Sequence, residues 1–338
     1  MKISVDAGAL CTPRHSQFGT YTVTRNILEA LGRYDSDNQY TAYTFTKVHD
    51  PVLSQKNLHQ KVLRPSFAWM SARVSMQEIL YPGDIYLGLN QAIPWLTRSR
   101  IFSFLHGVSF FIRKDLYPDS YEALKDQVLF AISRSEKVIV SSVRVKEDLE
   151  EHFRFKDTVV IPFGVPFDMR RHAKEHKAGK KQYFLFVGMN HPIKNLDFLL
   201  KAFKIFKEHP AYKEFELLLV GPHHAYGDAE NKIRCLNPGR EELKKLYQEA
   251  TAYLSASLYE SFNFPVLEAL SQGTAVIARS SAIIPEYKPF VHVGDEVEEF
   301  VELMKQSSRY EQKSHQPVVE RKFNWETYVS KLTSLYKL

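Results

Sequence analysis

Cysteine is almost missing from this chain. Only Cys11 and Cys235 occur in 338 residues, far apart and without metal-ligand spacing, which excludes a disulfide framework and a cysteine-based zinc site. Long apolar runs are missing too: none approaches the ~20 residues that span a bilayer. The opening MKISVDAGAL lacks the apolar stretch of a secretory signal, so the expected location is the cytoplasm. Internal repeats and low-complexity segments are absent. No nucleic-acid-binding motif accompanies the positive charge, and no nucleic-acid partner is expected.

What is present is an ordinary globular mixture, 44% hydrophobic and 25% charged, long enough for two domains at roughly 150 residues each. The formal charge of +6 suits anionic partners such as phosphorylated small molecules or a membrane surface. The densest basic run, RRHAKEHKAGKK at 170–181, reads as a solvated linker between domains, with membrane attraction as the rival reading.

Apolar runs alternate with helical patterns along the whole chain. Strands are expected at 3–7, 41–45, 84–89, 100–105, 137–141 and 158–162, with Gly19 opening a helix that carries Val23, Ile27, Leu28 and Leu31 on one face. Amphipathic segments at 71–80, 119–133 and 143–153 lie between them. The pattern restarts at 183–188, followed by a helix with Leu196, Leu199, Leu200, Phe203 and Phe206 on one face. Strands are then expected at 215–221, 252–257 and 274–278, with helices at 240–249, 266–272, 295–306 and 324–336. Short buried strands alternating with helices predict an α/β fold, two doubly wound and mostly parallel sheets, which bind ligands at the carboxyl ends of their strands.

One stretch concentrates chemistry. YESFNFPVLEAL (259–270) holds Glu260 and Glu268 around a proline that fits the start of a helix. The free N–H groups of a first helical turn, with the positive end of the helix dipole, attract an anion. Glu268, placed in that first turn, repels the same anion and suits neutral hydroxyls, as the acidic residue of dinucleotide folds does on a ribose. Glu260 suits a second polyhydroxylated group. The stretch therefore fits a nucleotide-sugar, against the plainer reading of two solvated helix-end acids. FVGMNHPIKNL (186–196) brings Lys194 to a helix entrance, where it can reach a diphosphate. Gly19 marks a close backbone approach at a strand-to-helix turn. His106 follows strand 100–105, where catalytic residues of open sheets collect, and a structural histidine is the alternative. The pair His223-His224 has no matching acid and is not read as a metal site.

Together these segments resemble retaining glycosyltransferases of family 4, which have the GT-B fold of two Rossmann-like domains facing across a cleft. The most specific part is an E-x7-E element with its tail, YESFNFPVLEALSQGTAVIARSSAIIPE (259–286), similar to the family's E-G-F-G-L-P-x-x-E-A run. FVGMNHPIKNLDFLLKAF (186–203), FSFLHGVSF (102–110), SEKVIVSSVRVKEDL (135–149), VVIPFGVPFD (159–168) and FNWETYVSKLTSLY (323–336) follow the family's order. The resemblance implies an acceptor-binding domain at 1–168, a linker at 169–181, a donor-binding domain at 182–322, and a final helix at 323–338 returning to the first domain. It implies that His106, Lys194 and Glu260 are catalytic. The donor would be held by Gly19, Lys194, Glu260, Phe262, Asn263, Phe264, Val266 and Glu268, with backbone amides near Phe264 and Val266 on the diphosphate, Glu260 on the transferred sugar and Glu268 on the ribose. Lys194 would neutralise the departing nucleotide in place of a divalent cation, so neither metal nor cofactor is expected.

The expected activity is retaining transfer of a sugar from a nucleoside diphosphate-sugar to a glycan or lipid-linked acceptor hydroxyl in polysaccharide or glycoconjugate synthesis. Uridine is preferred as base on family frequency alone. An epimerase or hydrolase of the same fold, and a nucleotide-sugar binding protein without chemistry, are the alternatives. Three positions depart from the family pattern: Met189 stands for an arginine, Asn263 for a glycine and Phe163 for an asparagine. The stretch 64–80, with Arg64, Phe67, Trp69, Met70, Arg73 and Met76, reads as a packed helix or as a peripheral contact at the inner face of the membrane.

Overall fold

The computed structural model describes residues 1–13, 19–170, 180–310 and 314–337. Most of the basic run at 170–181 lies outside them. The chain divides into two units, Met1–Gly164 with Asn324–Leu338, and Val165–Phe323.

The first unit is built on β1 (Lys2–Asp6), α1 (Gly19–Tyr34), β2 (Gln39–Thr44), β3 (Ser54–Gln55), β4 (Leu58–Val62), α2 (Ser75–Leu80), β5 (Ile85–Gly88), β6 (Arg100–Leu105), α3 (Ser109–Ile112), α4 (Tyr121–Arg134), β7 (Lys137–Val140), α5 (Val143–Phe153) and β8 (Thr158–Val160). Its strands run in the order β3-β4-β2-β1-β5-β6-β7-β8, parallel except for the β3–β4 pair. The expected strands all appear, with 100–105 unchanged and the others differing by one or two residues at an end. β4 is absent from the sequence reading because LHQKV sets three polar residues between Leu58 and Val62 instead of forming an apolar run.

The second unit contains β9 (Lys181–Val187), α6 (Leu196–Glu208), β10 (Glu216–Val220), β11 (Ile233–Leu236), α7 (Arg240–Glu249), β12 (Ala250–Ser255), α8 (Phe264–Ser271), β13 (Ala275–Ala278), β14 (His292–Val293), α9 (Val297–Arg309) and α10 (Gln316–Lys322). Its all-parallel sheet has the order β11-β10-β9-β12-β13-β14. Parallel strands need both faces covered. One face is sealed by Leu196, Leu199, Phe203 and Phe206 of α6 and Phe300 and Met304 of α9, all buried against Phe184, Leu217 and Leu254.

The last helix, α11 (Trp325–Ser334), belongs to the first unit. Asn324 caps it by accepting from the Glu326 and Thr327 amides at 2.7 and 3.3 Å. Trp325, fully buried, packs on Phe163 and Tyr328. The residue that departs from the family pattern at 163 is thus a core aromatic. A Cβ at Gly164 would lie 2.5 Å from the Trp325 ring, so glycine lets the loop after β8 meet the indole.

The boundary expected after 168 falls instead after Gly164 because the next residues join the second unit. The Val165 amide donates to the Phe323 carbonyl at 3.0 Å, Asp168 pairs with Arg240, and the Met169 carbonyl accepts from Ser271 at 3.3 Å.

Candidate functional site

Lys194 reaches its place through local tethers. It ends a short turn (Pro192–Lys194) in which the His191 ring accepts from the Ile193 amide at 3.2 Å. The Leu258 amide donates to the Ile193 carbonyl at 2.8 Å. Asn195 then takes a left-handed conformation, φ 52°, with its side-chain amide donating to the Ala256 carbonyl at 3.2 Å. This turn at the carboxyl end of β9 is therefore tied to the loop after β12. The Lys194 ammonium sits 2.6 Å from a Glu260 oxygen, to which the Ser257 hydroxyl also donates at 2.7 Å. Both charged side chains are largely shielded, 16% and 13% exposed. The structure brings these two sequence-predicted residues together, and Ser257 is an addition that the sequence reading missed.

Glu268 lies differently from expectation. α8 starts at Phe264, so Glu268 belongs to its second turn and is only 3% exposed. Arg240 donates to one of its oxygens at 2.8 Å and the Tyr247 hydroxyl to the other at 3.0 Å. Arg240 also holds Asp168 in a forked pair at 2.8 and 3.1 Å. Burial raises the Tyr247 phenol well above its ordinary range, and the Glu268 carboxylate adds to that, so it stays a donor. Arg240 and Tyr247 are absent from the sequence reading, although one signal was available. A cation as the first residue of a helix opposes the helix dipole, which marks Arg240 as recruited by an anion outside its own helix.

The neighbours of Glu260 and Glu268 are engaged within the protein itself. Phe262, expected to touch a donor, is 4% exposed and stacks among Phe264, Tyr287 and Phe323. The Val266 amide, expected on a diphosphate, already donates to the Asn263 carbonyl at 3.1 Å. Phe264 is the half-buried residue at the helix start. Asn263 adds no side chain to open space. It sits at φ 62°, and its side-chain amide donates inward to Ser255 Oγ at 3.1 Å and the Ala282 carbonyl at 2.8 Å. Asparagine tolerates the left-handed region better than other side chains, so it stands in for glycine while bridging two loops. Asn263→Ala should cost about 2 kcal/mol, from the backbone penalty and the lost buried hydrogen bonds. Asn263→Gly should cost less, as urea unfolding midpoints will show.

In the first unit, His106 follows β6 with Nε2 donating to the Leu89 carbonyl at 2.5 Å and its ring beside Phe163. Burial pushes the imidazole down to about 4, against the Leu89 carbonyl, which favours the protonated ring. It is neutral at pH 7. The unfolded chain therefore binds the extra proton between about pH 6.5 and 4, so stability contributed by the neutral ring is present above 6.5 and lost as pH falls toward 4. The loss is on the order of 2 kcal/mol, reduced by the ring's partial exposure, and His106→Gln should flatten that part of the stability–pH curve. Gly19 is exposed at the start of α1, and a Cβ there meets nothing within 4 Å among the described residues. The packing of the described residues does not demand that glycine.

Known proteins share parts of this sequence and the whole of this fold. Residues 181–307 match the profile of glycosyl transferases group 1. O-antigen chain mannosyltransferase B of Escherichia coli is 25% identical over 228 residues, 61% of this chain and 59% of that protein. The chain spans between 52% and 59% of the length of the curated relatives it matches. Among solved structures, a sucrose-phosphate synthase from Thermosynechococcus elongatus superposes with TM-score 0.74 at 16% identity, covering 99% of this chain and 98% of that one. Anabaena HepE, solved in complex with UDP-glucose, does so with TM-score 0.73 at 16% identity over 100% of both chains.

The fold is GT-B. Its two Rossmann-like units are the two sheets described above. Within this GT-B chain, Met189 stands 38% exposed where the resemblance calls for an arginine. His191 does not supply the missing cation at neutral pH, since burial, and then the Lys194 charge, lower its pKa. His223, of the pair without an acid, is buried and bonds through Nε2 to the Gly188 carbonyl at 2.8 Å, which fixes the end of β9. In the stretch 64–80, Trp69 and Met70 turn inward onto Tyr43, Val74 and Tyr86, while Phe67 and Met76 are 86% and 52% exposed. No helix among the described residues is long and apolar enough to cross a membrane.

Proposed function

We propose that this chain is a glycosyltransferase that moves a sugar from a nucleoside diphosphate-sugar to an acceptor hydroxyl with retention of anomeric configuration. The observation that carries this is the shielded Lys194–Glu260 pair at the carboxyl end of the second sheet, beside the start of α8. The group 1 profile spans both residues. A uridine donor is supported by the Anabaena neighbour, which was solved with UDP-glucose bound. A polysaccharide acceptor is supported by the E. coli relative, an O-antigen chain mannosyltransferase.

On this reading the bond between the sugar's anomeric carbon and the leaving phosphate oxygen breaks first, giving an oxocarbenium-like sugar and a more negative diphosphate. Lys194 moves from Glu260 to the diphosphate and meets that growing charge, the part a divalent cation plays in other transferases. Glu260, released, accepts hydrogen bonds from the sugar hydroxyls. Glu268 keeps lone pairs beyond those used by Arg240 and Tyr247 and accepts from the ribose. His106 contacts the reacting sugar and Gly19 lies by the donor phosphate, as the family resemblance implies. The acceptor oxygen attacks the same face that the phosphate leaves, and its proton passes to the leaving phosphate.

Proton NMR of the first product formed from UDP-glucose and an acceptor panel tests the proposal. A product with the donor's anomeric configuration supports it, and clean inversion overturns it. Free sugar or an epimer released without acceptor would favour the hydrolase or epimerase reading instead.

A further inference from the structure

The first sheet carries a second candidate site, on one face of β1, β2 and β4. Parallel strands are ordinarily covered on both faces and read as apolar runs. β1, β2 and β4 do not. Ile3, Val5, Tyr40, Ala42 and Leu58 are buried, while the alternate residues Lys2, Gln39, His59 and Lys61 are exposed. Pairing aligns Lys2 with Gln39, and Thr41 with both Ser4 and His59, so these side chains share one face. Ser4 and Tyr43 on the same face are buried, so the open part is the band of Lys2, Gln39, Thr41, His59 and Lys61. α2 stops at Leu80 and leaves it uncovered, and Tyr81, 69% exposed, forms a wall with Gly83. A Cβ on Gly83 would lie 2.9 Å from the Lys2 carbonyl, so glycine keeps that wall close to β1.

The resulting groove encloses about 600 Å³, within the ~300–1,000 Å³ of small-ligand sites. Its charged lining is Lys2 and Lys61, with the His59 ring between them and no carboxylate among the described lining residues. Glu78 lies fully buried beneath, its oxygens occupied by the Tyr43, Thr97 and Ser99 hydroxyls. Gln39, Gln77 and Thr41 add groups that both donate and accept, as sugar hydroxyls do. The Lys61 ammonium stands 5.3 Å from the Tyr81 ring centre, which sets a cation beside an aromatic surface.

We propose that this groove binds a short acidic oligosaccharide, with sugar hydroxyls on the amide side chains, a ring against Tyr81 and carboxylates on Lys61 and Lys2. It is separate from the donor reading of the second unit, and no donor is needed to test it. Calorimetric titration of the full chain with tetragalacturonate is the experiment, with maltotetraose, inorganic phosphate and oligouridylate as comparators. The acidic tetrasaccharide should bind at least about tenfold more tightly than maltotetraose or phosphate. Lys61→Gln and Tyr81→Ala, both at exposed positions, should each weaken it about tenfold. Equal affinity for maltotetraose or phosphate overturns the proposal, as does unchanged binding in both variants. Oligouridylate that binds as tightly and is lost with the same substitutions also overturns it, in favour of a general polyanion groove.

Discussion

Replacing Lys194 by Ala is expected to lower sugar transfer by ~10²–10³-fold, the usual cost of removing one preorganised partner of a developing anion. The structure supplies a way to separate this from damage to the fold. Lys194 and Glu260 are 16% and 13% exposed and 2.6 Å apart, so the single substitution leaves a shielded carboxylate without its cation, though the Ser257 hydroxyl still donates to it. That should cost about 2 kcal/mol, below the ~3–5 kcal/mol of breaking a fully buried pair. Substituting both residues by Ala removes the stranded charge, and the urea midpoint should recover most of the way. Turnover should not recover, because the diphosphate still lacks its cation. If the single variant transfers sugar at close to the parent rate, the proposed role of Lys194 falls. If the double variant regains activity along with stability, the pair is structural only.

The sequence made the architecture readable because apolar runs of buried parallel strands and the four-residue spacing of α6 leave unambiguous periods. Four strands leave no such period, for physical reasons: β4 is solvated on a face and no residue of β11 is fully buried, while β3 and β14 span two residues each. At the site, a helix entrance and a loop after a strand give Lys194 and Glu260 places that local sequence signals, and the two side chains meet there. The same logic sets Phe262 and Val266 beside a donor, and the structure engages both within the protein itself. Their sequence neighbourhood says they flank a ligand-binding turn, but whether a ring packs inward or an amide is already bonded depends on Tyr287, Phe323 and the left-handed Asn263. Arg240 meets Glu268 across 28 positions of sequence, a distance over which no periodic pattern speaks.

Arg240→Met is expected to destabilise the second unit by about 3 kcal/mol, the low end of the ~3–5 kcal/mol found when one partner of a buried ion pair is removed. The asymmetry of the pair sets this size. Arg240 keeps 41% of its side chain in solvent, whereas Glu268 keeps 4%. Without the guanidinium, Glu268 holds a buried charge against the neutral Tyr247 hydroxyl, and water cannot readily take over. Asp168, 38% exposed, loses the same partner at little cost because water reaches it. Glu268→Gln should be milder, near ~1 kcal/mol, since the amide oxygen still accepts from a neighbour and Arg240 keeps Asp168. Combining the two substitutions should be less damaging than Arg240→Met alone, because no charge is then left buried. Urea midpoints at constant slope measure all three. A harmless Arg240→Met, or a double variant worse than the sum of its parts, would show that Arg240 does not hold the Glu268 charge. The same guanidinium fixes the carboxylate before any ligand arrives. On the proposed function, Arg240→Met should therefore raise the donor KM more than it lowers kcat, whereas Lys194→Ala acts chiefly on kcat.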